Sequence, residues 1–252
     1  MNTLQTKTFQ LATSQAGKPD APKLAVVLPG LFDTKDYAHI QSHLKRLAEL
    51  GFHAVSFDPP GTWESPGGIE LYTPSNYLQA VHEVIDRFGK PTFVMGHSRG
   101  ATMSLASGSS NKLVFALAAV MPSHIRGDYL GNEDAEWKAQ GHRLLSRDLP
   151  PGGGERSYSE QLPYSFFLDQ LNFDCTDSLQ ASSVPKLFIY GASDTSGATP
   201  QSVRAIYEQA GEPKEIHEIP GDHDYRQDPD RIEMVNQIVT DFLNNLPQGN
   251  PT

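Results

Sequence analysis

The sequence predicts an α/β protein, a mostly parallel central sheet covered by helices on both faces. Short apolar runs alternate with segments of helical periodicity along most of the chain, and strands separated by helices pair in parallel through crossovers. Runs such as LAVVLPG at 24–30 and TFVMGH at 92–97 are continuously apolar, as strands buried on both faces require. A length of 252 residues suits one large domain, 1–252, with a substantial core.

Each element has its own signal. Residues 4–11 space Thr, Phe and Leu with polar residues and predict a first strand; residues 12–22, rich in Ser, Gly and Pro, predict a loop. The run at 24–30 is a strand ended by Pro-Gly. In residues 37–50, Ile40, Leu44, Leu47 and Ala48 share one helical face, and Gly51 supplies a stop. HAVSFD at 53–58 is the next strand. Ser75 is the expected cap of a helix in which Leu78, Val81, Ile85 and Phe88 recur at helical spacing before Gly89. Residues 92–97 form a strand, 98–107 a small-residue helix, and 113–121 a strand closed by Pro122.

The alternation then breaks. Residues 123–183 carry a predicted helix at 135–145, a Pro-Gly-rich turn at 150–154 and an aromatic segment at 158–173. About 60 residues are too few for a separate domain and predict an inserted lid. The pattern resumes with KLFIYG at 186–191, a helix opened by Thr199-Pro200, the strand KEIHEIPG, and a last helix opened by Asp228-Pro229 with Ile232, Val235, Val239 and Phe242 on its buried face. The tail, 247–252, is expected to fray.

Composition excludes several classes. Lys+Arg 20 against Asp+Glu 30 gives a net charge of -10, which repels phosphate backbones and anionic lipid, so no nucleic-acid partner is expected. The lone Cys175 makes neither an internal disulfide nor a cysteine metal cage, and reads as a small, half-buried side chain. No run approaches the roughly 20 apolar residues of a membrane span, and the N-terminus lacks a secretory pattern. A soluble, cytoplasmic protein is the expectation.

Chemistry concentrates in Gly96-His97-Ser98-Arg99-Gly100, a match to G-x-S-x-G. The pattern alone is weak, but here it ends an apolar strand and opens a helix. So sharp a strand-to-helix turn strains the serine backbone and leaves no room for side chains two residues before or after it, hence Gly96 and Gly100. The Ser98 hydroxyl then stands at a helix N-terminus, where developing negative charge is favoured. A hydroxyl is a weak nucleophile and needs a base, which needs an orienting acid. His223 follows the last predicted strand and Asp194 follows the strand at 186–191. In a parallel sheet both lie on the edge where Ser98 emerges.

In these residues the sequence resembles the α/β-hydrolase fold family over roughly 24–246, most weakly across 123–183. GHSRG resembles the family's nucleophile elbow, GASD and GDHD its later acid and histidine blocks, Pro29-Gly30-Leu31-Phe32 its oxyanion loop, and Asp58-Pro59-Pro60-Gly61 the turn after the next strand. The resemblance implies Ser98 as nucleophile, His223 as general base and acid, and Asp194 as orienting acid. It also implies backbone N–H donors from Arg99 and Leu31 to an oxyanion, with Phe32 as the alternative to Leu31. Pro29-Gly30 stands where the family often has His-Gly. The Arg99 side chain is open to two readings, an ion pair or contact with an anionic substrate group.

Other residues compete for these roles and differ in position. Asp33, Asp58, Asp222 and Asp224 are alternative acids. Asp58 follows an earlier strand, and Asp222 and Asp224 adjoin the base in sequence. His97 should point away from Ser98. His39 and His43 have the i, i+4 spacing of a metal pair but no Glu between them and no third ligand, and read as a solvated helix face. No cofactor and no metal are expected. Trp137, Tyr158, Tyr164, Phe166, Phe167 and Phe173 offer apolar lining for an acyl or aromatic group, or pack the inserted segment onto the body. The functional expectation is a carboxylesterase-like serine hydrolase of a small-molecule ester or related acyl compound. The alternatives are a slow-turnover binding or signalling protein of the same fold and a C–C bond hydrolase.

Overall fold

The computed structural model describes residues 2–127, 134–152 and 157–247. An eight-stranded sheet has the order β1-β2-β4-β3-β5-β6-β9-β10. Strands β1 (Asn2–Gln5) and β2 (Gln10–Ala16) form an antiparallel hairpin, and β2 runs antiparallel to β4 (Phe52–Phe57). From β4 onward the sheet is parallel through β3 (Lys23–Leu28), β5 (Thr92–His97), β6 (Val114–Val120), β9 (Lys186–Gly191) and β10 (Lys214–Ile219). The continuous apolar runs are the central strands: every residue of β4, β5 and β9 is buried.

Helices cover the sheet. α1 (Ala38–Glu49) packs against β4 and pairs with α8 (Pro229–Asn245). α2 (Pro74–Phe88), α3 (Arg99–Ser110), α6 (Thr176–Ala181) and α7 (Pro200–Gln209) pack in succession. The cap of α2 is Thr73, whose hydroxyl accepts from the Asn76 N–H, with Pro74 in the first turn. Ser75, the expected cap, lies inside the helix, its N–H held by Asp169. α8 buries the expected Ile232, Val235, Val239 and Phe242.

Two regions depart from the predicted elements. The strand expected at 4–11 is a hairpin turning at Thr6–Phe9, and β2 runs on to Ala16, into the first part of the segment read as loop. The turn is held by the Thr6 hydroxyl and the Glu83 carboxylate rather than by glycine or proline, so its sequence signal is absent. In the segment 123–183 the helix expected at 135–145 stops early. α4 (Asp134–Gln140) ends at Gly141, whose φ of 75° breaks it. Strand β7 (His142–Asp148) follows and pairs antiparallel with β8 (Ser157–Pro163); α5 (Tyr164–Asn172) and α6 complete the segment. Gly153 and Gly154 of the expected turn, and residues 248–252 of the tail, lie outside the described residues. No described helix is long and apolar enough to cross a membrane.

Candidate active site

Ser98 sits where β5 turns into α3, with φ 53° and ψ -114°. A left-handed φ on a non-glycine residue is strained, and the surroundings must enforce it. They do so through the flanking glycines. A Cβ on Gly96 would collide with the backbone of Gly100, and one on Gly100 with the carbonyls of Leu28 and Pro29. The elbow can therefore press against the end of β3. The Ser98 N–H is held by the Val120 carbonyl at 2.9 Å.

The loops after β9 and β10 meet at the same edge. Ala192 N–H bonds the Ile219 carbonyl and Ser193 N–H the Gly221 carbonyl, each at 2.9 Å. This brings Asp194 and His223 together. The His223 Nδ1–H donates to Asp194 Oδ2 at 2.7 Å, and Ser98 Oγ lies 2.9 Å from His223 Nε2. The carboxylate accepts only, so Nε2 is the basic nitrogen facing the hydroxyl. Asp194 is 2% exposed, and its Oδ1 accepts from the Ser196 N–H at 2.8 Å and the Ser196 hydroxyl at 3.0 Å. Ser196 was not singled out in the sequence; its only signal is a position two residues past the acid, where an Asx turn forms. The His97 side chain lines the cavity beside Ser98, and its Nε2–H donates to the His223 backbone carbonyl at 3.1 Å.

The loop after β3 faces the elbow. Phe32 has φ 59°, and its N–H donates to Tyr72 Oη at 3.0 Å. Its carbonyl accepts from Trp63 Nε1 at 3.1 Å. The Phe32 N–H is thus engaged, and Leu31 lines the cavity at Ser98. The Arg99 N–H belongs to the first turn of α3, whose N–H groups lack intrahelical partners. Arg147 of β7 reaches down to this loop, giving two hydrogen bonds to the Leu31 carbonyl, from Nε at 3.2 Å and Nη2 at 2.9 Å, and standing 3.2 Å from Asp33 Oδ1. The next residue, Asp148, is held by Arg226 and accepts at its carbonyl from the Tyr37 hydroxyl at 2.8 Å. Tyr158 of β8 accepts from the Trp63 N–H and stacks on its ring. Tyr72 and Arg147 were not legible as site residues, because each arrives from a distant element.

The cavity at Ser98, about 520 Å³, is lined mainly by polar and charged side chains, with Arg99, Arg147 and Arg226 facing Asp33, Asp222 and Asp224. Of the two readings of the six aromatic residues, packing of the inserted segment is the one the structure bears out, since none of them lines this cavity. Trp137, Tyr164, Phe166 and Phe167 stack on one another, Phe166 meets Tyr72, and Tyr158 meets Phe32 and Trp63. Phe173 is buried beyond the cavity, on a surface groove with Leu78. Arg99 lines the cavity with only 4% of its surface exposed. Cys175 is fully buried, and burial pushes its thiol up to about 12, leaving it inert.

His39 and His43 are also placed otherwise than expected. Both are buried on the core face of α1, not on a solvated one. His43 is satisfied there: Nδ1–H donates to Asn236 Oδ1 at 2.7 Å and Nε2 accepts from the Tyr225 hydroxyl at 2.8 Å. Burial lowers its imidazole to about 4, so it is neutral.

The family model of the alpha/beta hydrolase family matches residues 25–234. No curated protein matches the chain in sequence. Among solved structures it is similar to Est1E from Butyrivibrio proteoclasticus with ferulic acid bound, at 19% identity and TM-score 0.74, covering 97% of this chain and 98% of that one. It is similar to mouse alpha/beta hydrolase domain-containing protein 10, at 18% identity and TM-score 0.77, with 97% and 98% covered. A monoacylglycerol lipase from Paleococcus ferrophilus matches at 19% identity and TM-score 0.75, with 92% and 98% covered. At such identities these likenesses speak for the fold. The match of the family model over most of the length decides the rest: the chain belongs to the alpha/beta hydrolase family.

Proposed function

We propose that the protein is a carboxylesterase-like serine hydrolase acting through an acyl-enzyme on an ester or related acyl compound. The observation that carries this reading is the unbroken hydrogen-bonded succession Ser98–His223–Asp194 at a strained elbow. Ser98 Oγ attacks the acyl carbon while its proton passes to His223 Nε2. Asp194 fixes the imidazole in the tautomer that presents Nε2 and stabilises the imidazolium. The negative charge that develops on the carbonyl oxygen is received by the N–H groups of Arg99 and Leu31. His223 then gives its proton to the leaving group, and a water activated by the same nitrogen releases the acid. Residues 123–183 act as a lid within a single 1–252 domain. Arg147 is a positioning residue: by holding the Leu31 carbonyl it orients the loop that supplies the second donor. The polar cavity lining favours a small acyl group bearing polar substituents over a long aliphatic chain.

Ser98→Ala should lower kcat by about 10³-fold or more and abolish labelling by a fluorophosphonate. A panel of p-nitrophenyl esters of increasing acyl length should show highest turnover with short chains. Labelling that persists in the alanine variant would refute Ser98 as the nucleophile.

A further inference from the structure

Beside the elbow, Asp33, His39 and His97 converge from the loop after β3, the start of α1 and the end of β5. Each offers one ligating atom, and these atoms lie within 4.8 Å of one another. Asp33 and His97 are each 3% exposed, and His39 is wholly buried. Neither ring nitrogen of His39 has a hydrogen-bond partner among the described residues, and nor has Nδ1 of His97. Buried polar groups are almost always paired, as both nitrogens of His43 are one turn further along α1, so orphaned nitrogens on two neighbouring rings, His39 and His97, ask for a partner between them.

The chemistry of the gap points to a cation. His97 Nε2–H is committed to the His223 carbonyl, so Nδ1 presents a bare lone pair. That lone pair stands 3.8 Å from Asp33 Oδ2, acceptor facing acceptor. Arg147 approaches Asp33 at Oδ1 and leaves Oδ2 to the gap. Arg226, the other cation near the cluster, is balanced by Asp148 and Asp224. Gly30 closes one wall: a Cβ there would lie 2.6 Å from Asp33 Oδ2 and 3.5 Å from His97 Nδ1.

We propose that Asp33, His39 and His97 bind a divalent transition-metal ion of the zinc type beside the active site. Two imidazoles and a carboxylate form a donor set of intermediate softness, suited to zinc rather than to magnesium or calcium. A ligating histidine ordinarily donates its other ring N–H to a carbonyl or carboxylate, as His97 does. Asp33 and His97 also line the cavity at Ser98, which supplies an entry path and a water as fourth ligand. Zinc bonds of about 2.0–2.2 Å require the ligands to close by roughly an ångström. The sequence pair His39/His43 lacked a third ligand; the fold replaces His43 by His97 and adds Asp33. The ion would tie α1, the elbow and the loop carrying Leu31 to one point, and through His97 steady the backbone of His223.

The test reads binding, not hydrolysis, so it is independent of the proposed activity. Chelator-treated protein titrated with Zn²⁺ should take up one equivalent per chain with excess Mg²⁺ present, and its Tm should rise by about 5 °C or more at saturating Zn²⁺. Asp33→Asn and His39→Gln should each weaken binding by at least about 100-fold, while His217→Gln, at an exposed histidine, should leave it unchanged. Anomalous diffraction at the zinc edge from wild-type crystals soaked in Zn²⁺ places the ion without any variant, and should put it between His39 and His97. An absent ion, an ion elsewhere, an ordered water in its place, or binding that survives both ligand substitutions overturns the proposal.

Discussion

Asp33, Asp58, Asp222 and Asp224 compete with Asp194 for the place beside His223, and each has another partner. Asp33 faces Arg147, Asp58 pairs with Lys35 and accepts from Thr34, Asp222 pairs with Arg231, and Asp224 with Arg226. Asp194→Asn should therefore lower kcat by roughly 10⁴-fold, the scale set by the acid of serine proteases. Asp222→Asn and Asp224→Asn should cost about tenfold or less. Kinetics of all three on one activated ester, with circular dichroism to check folding, decide the matter: a neighbour that loses more than Asp194 does would displace it as the orienting acid. Ser98, Asp194 and His223 were legible because a parallel sheet puts the ends of all its strands on one edge, so chain position implies spatial position. Ser196, Tyr72 and Arg147 were not, since a contact between distant segments leaves no trace in local spacing. His39 and His43 were misread for a related reason: helical periodicity shows which residues share a face, but not that Asn236 and Tyr225 wait to satisfy an imidazole buried on it.

The first hairpin shows how an element can be held by a side chain from another. Glu83, on α2, accepts from the Thr6 hydroxyl, the Thr8 N–H and hydroxyl, and Gln79. Partial burial alone would raise its carboxyl, but the hydrogen bonds from Thr8, Gln79 and Thr6 outweigh it and lower it from 4.5 to about 2. A depressed carboxyl stabilises the fold above its unfolded value, and the benefit is lost as pH falls through the folded one. Glu83→Gln should thus destabilise the protein at pH 7 by roughly 1–2 kcal/mol. Urea unfolding of both forms should show that gap narrowing as pH falls from 4.5 towards 2, whereas a gap constant across that range would mean the charge plays no part. Elements announced by an apolar run or by Pro at a helix start, such as β5, β9, α7 and α8, were read nearly to the residue. β7 and β8 were missed because their covered face is only half-buried for the most part and carries polar residues such as Arg147 and Glu160, so the alternation is weak in the sequence.

At the scale of the whole molecule, the net charge of -10 is a long-range property that no single contact offsets. Neither duplex DNA nor anionic vesicles should retain the protein at physiological salt; a salt-dependent mobility shift with DNA would contradict this. The order of the sheet was legible in outline, as parallel and helix-covered, while the antiparallel β1-β2 edge was not, because its turn lacks glycine and proline. The contact of Arg147 with the Leu31 carbonyl bears on how such proteins diversify. Insertions are usually treated as exchangeable parts, traded between family members to change what is accepted while the chemistry stays put. Here the traded part would carry away a brace of the chemical floor itself, together with Asp148 and its bonds to Tyr37 and Arg226. A chimaera that replaces residues 123–183 wholesale should lose rate as well as selectivity, and one that retains Arg147 and Asp148 on the borrowed hairpin should recover the rate first.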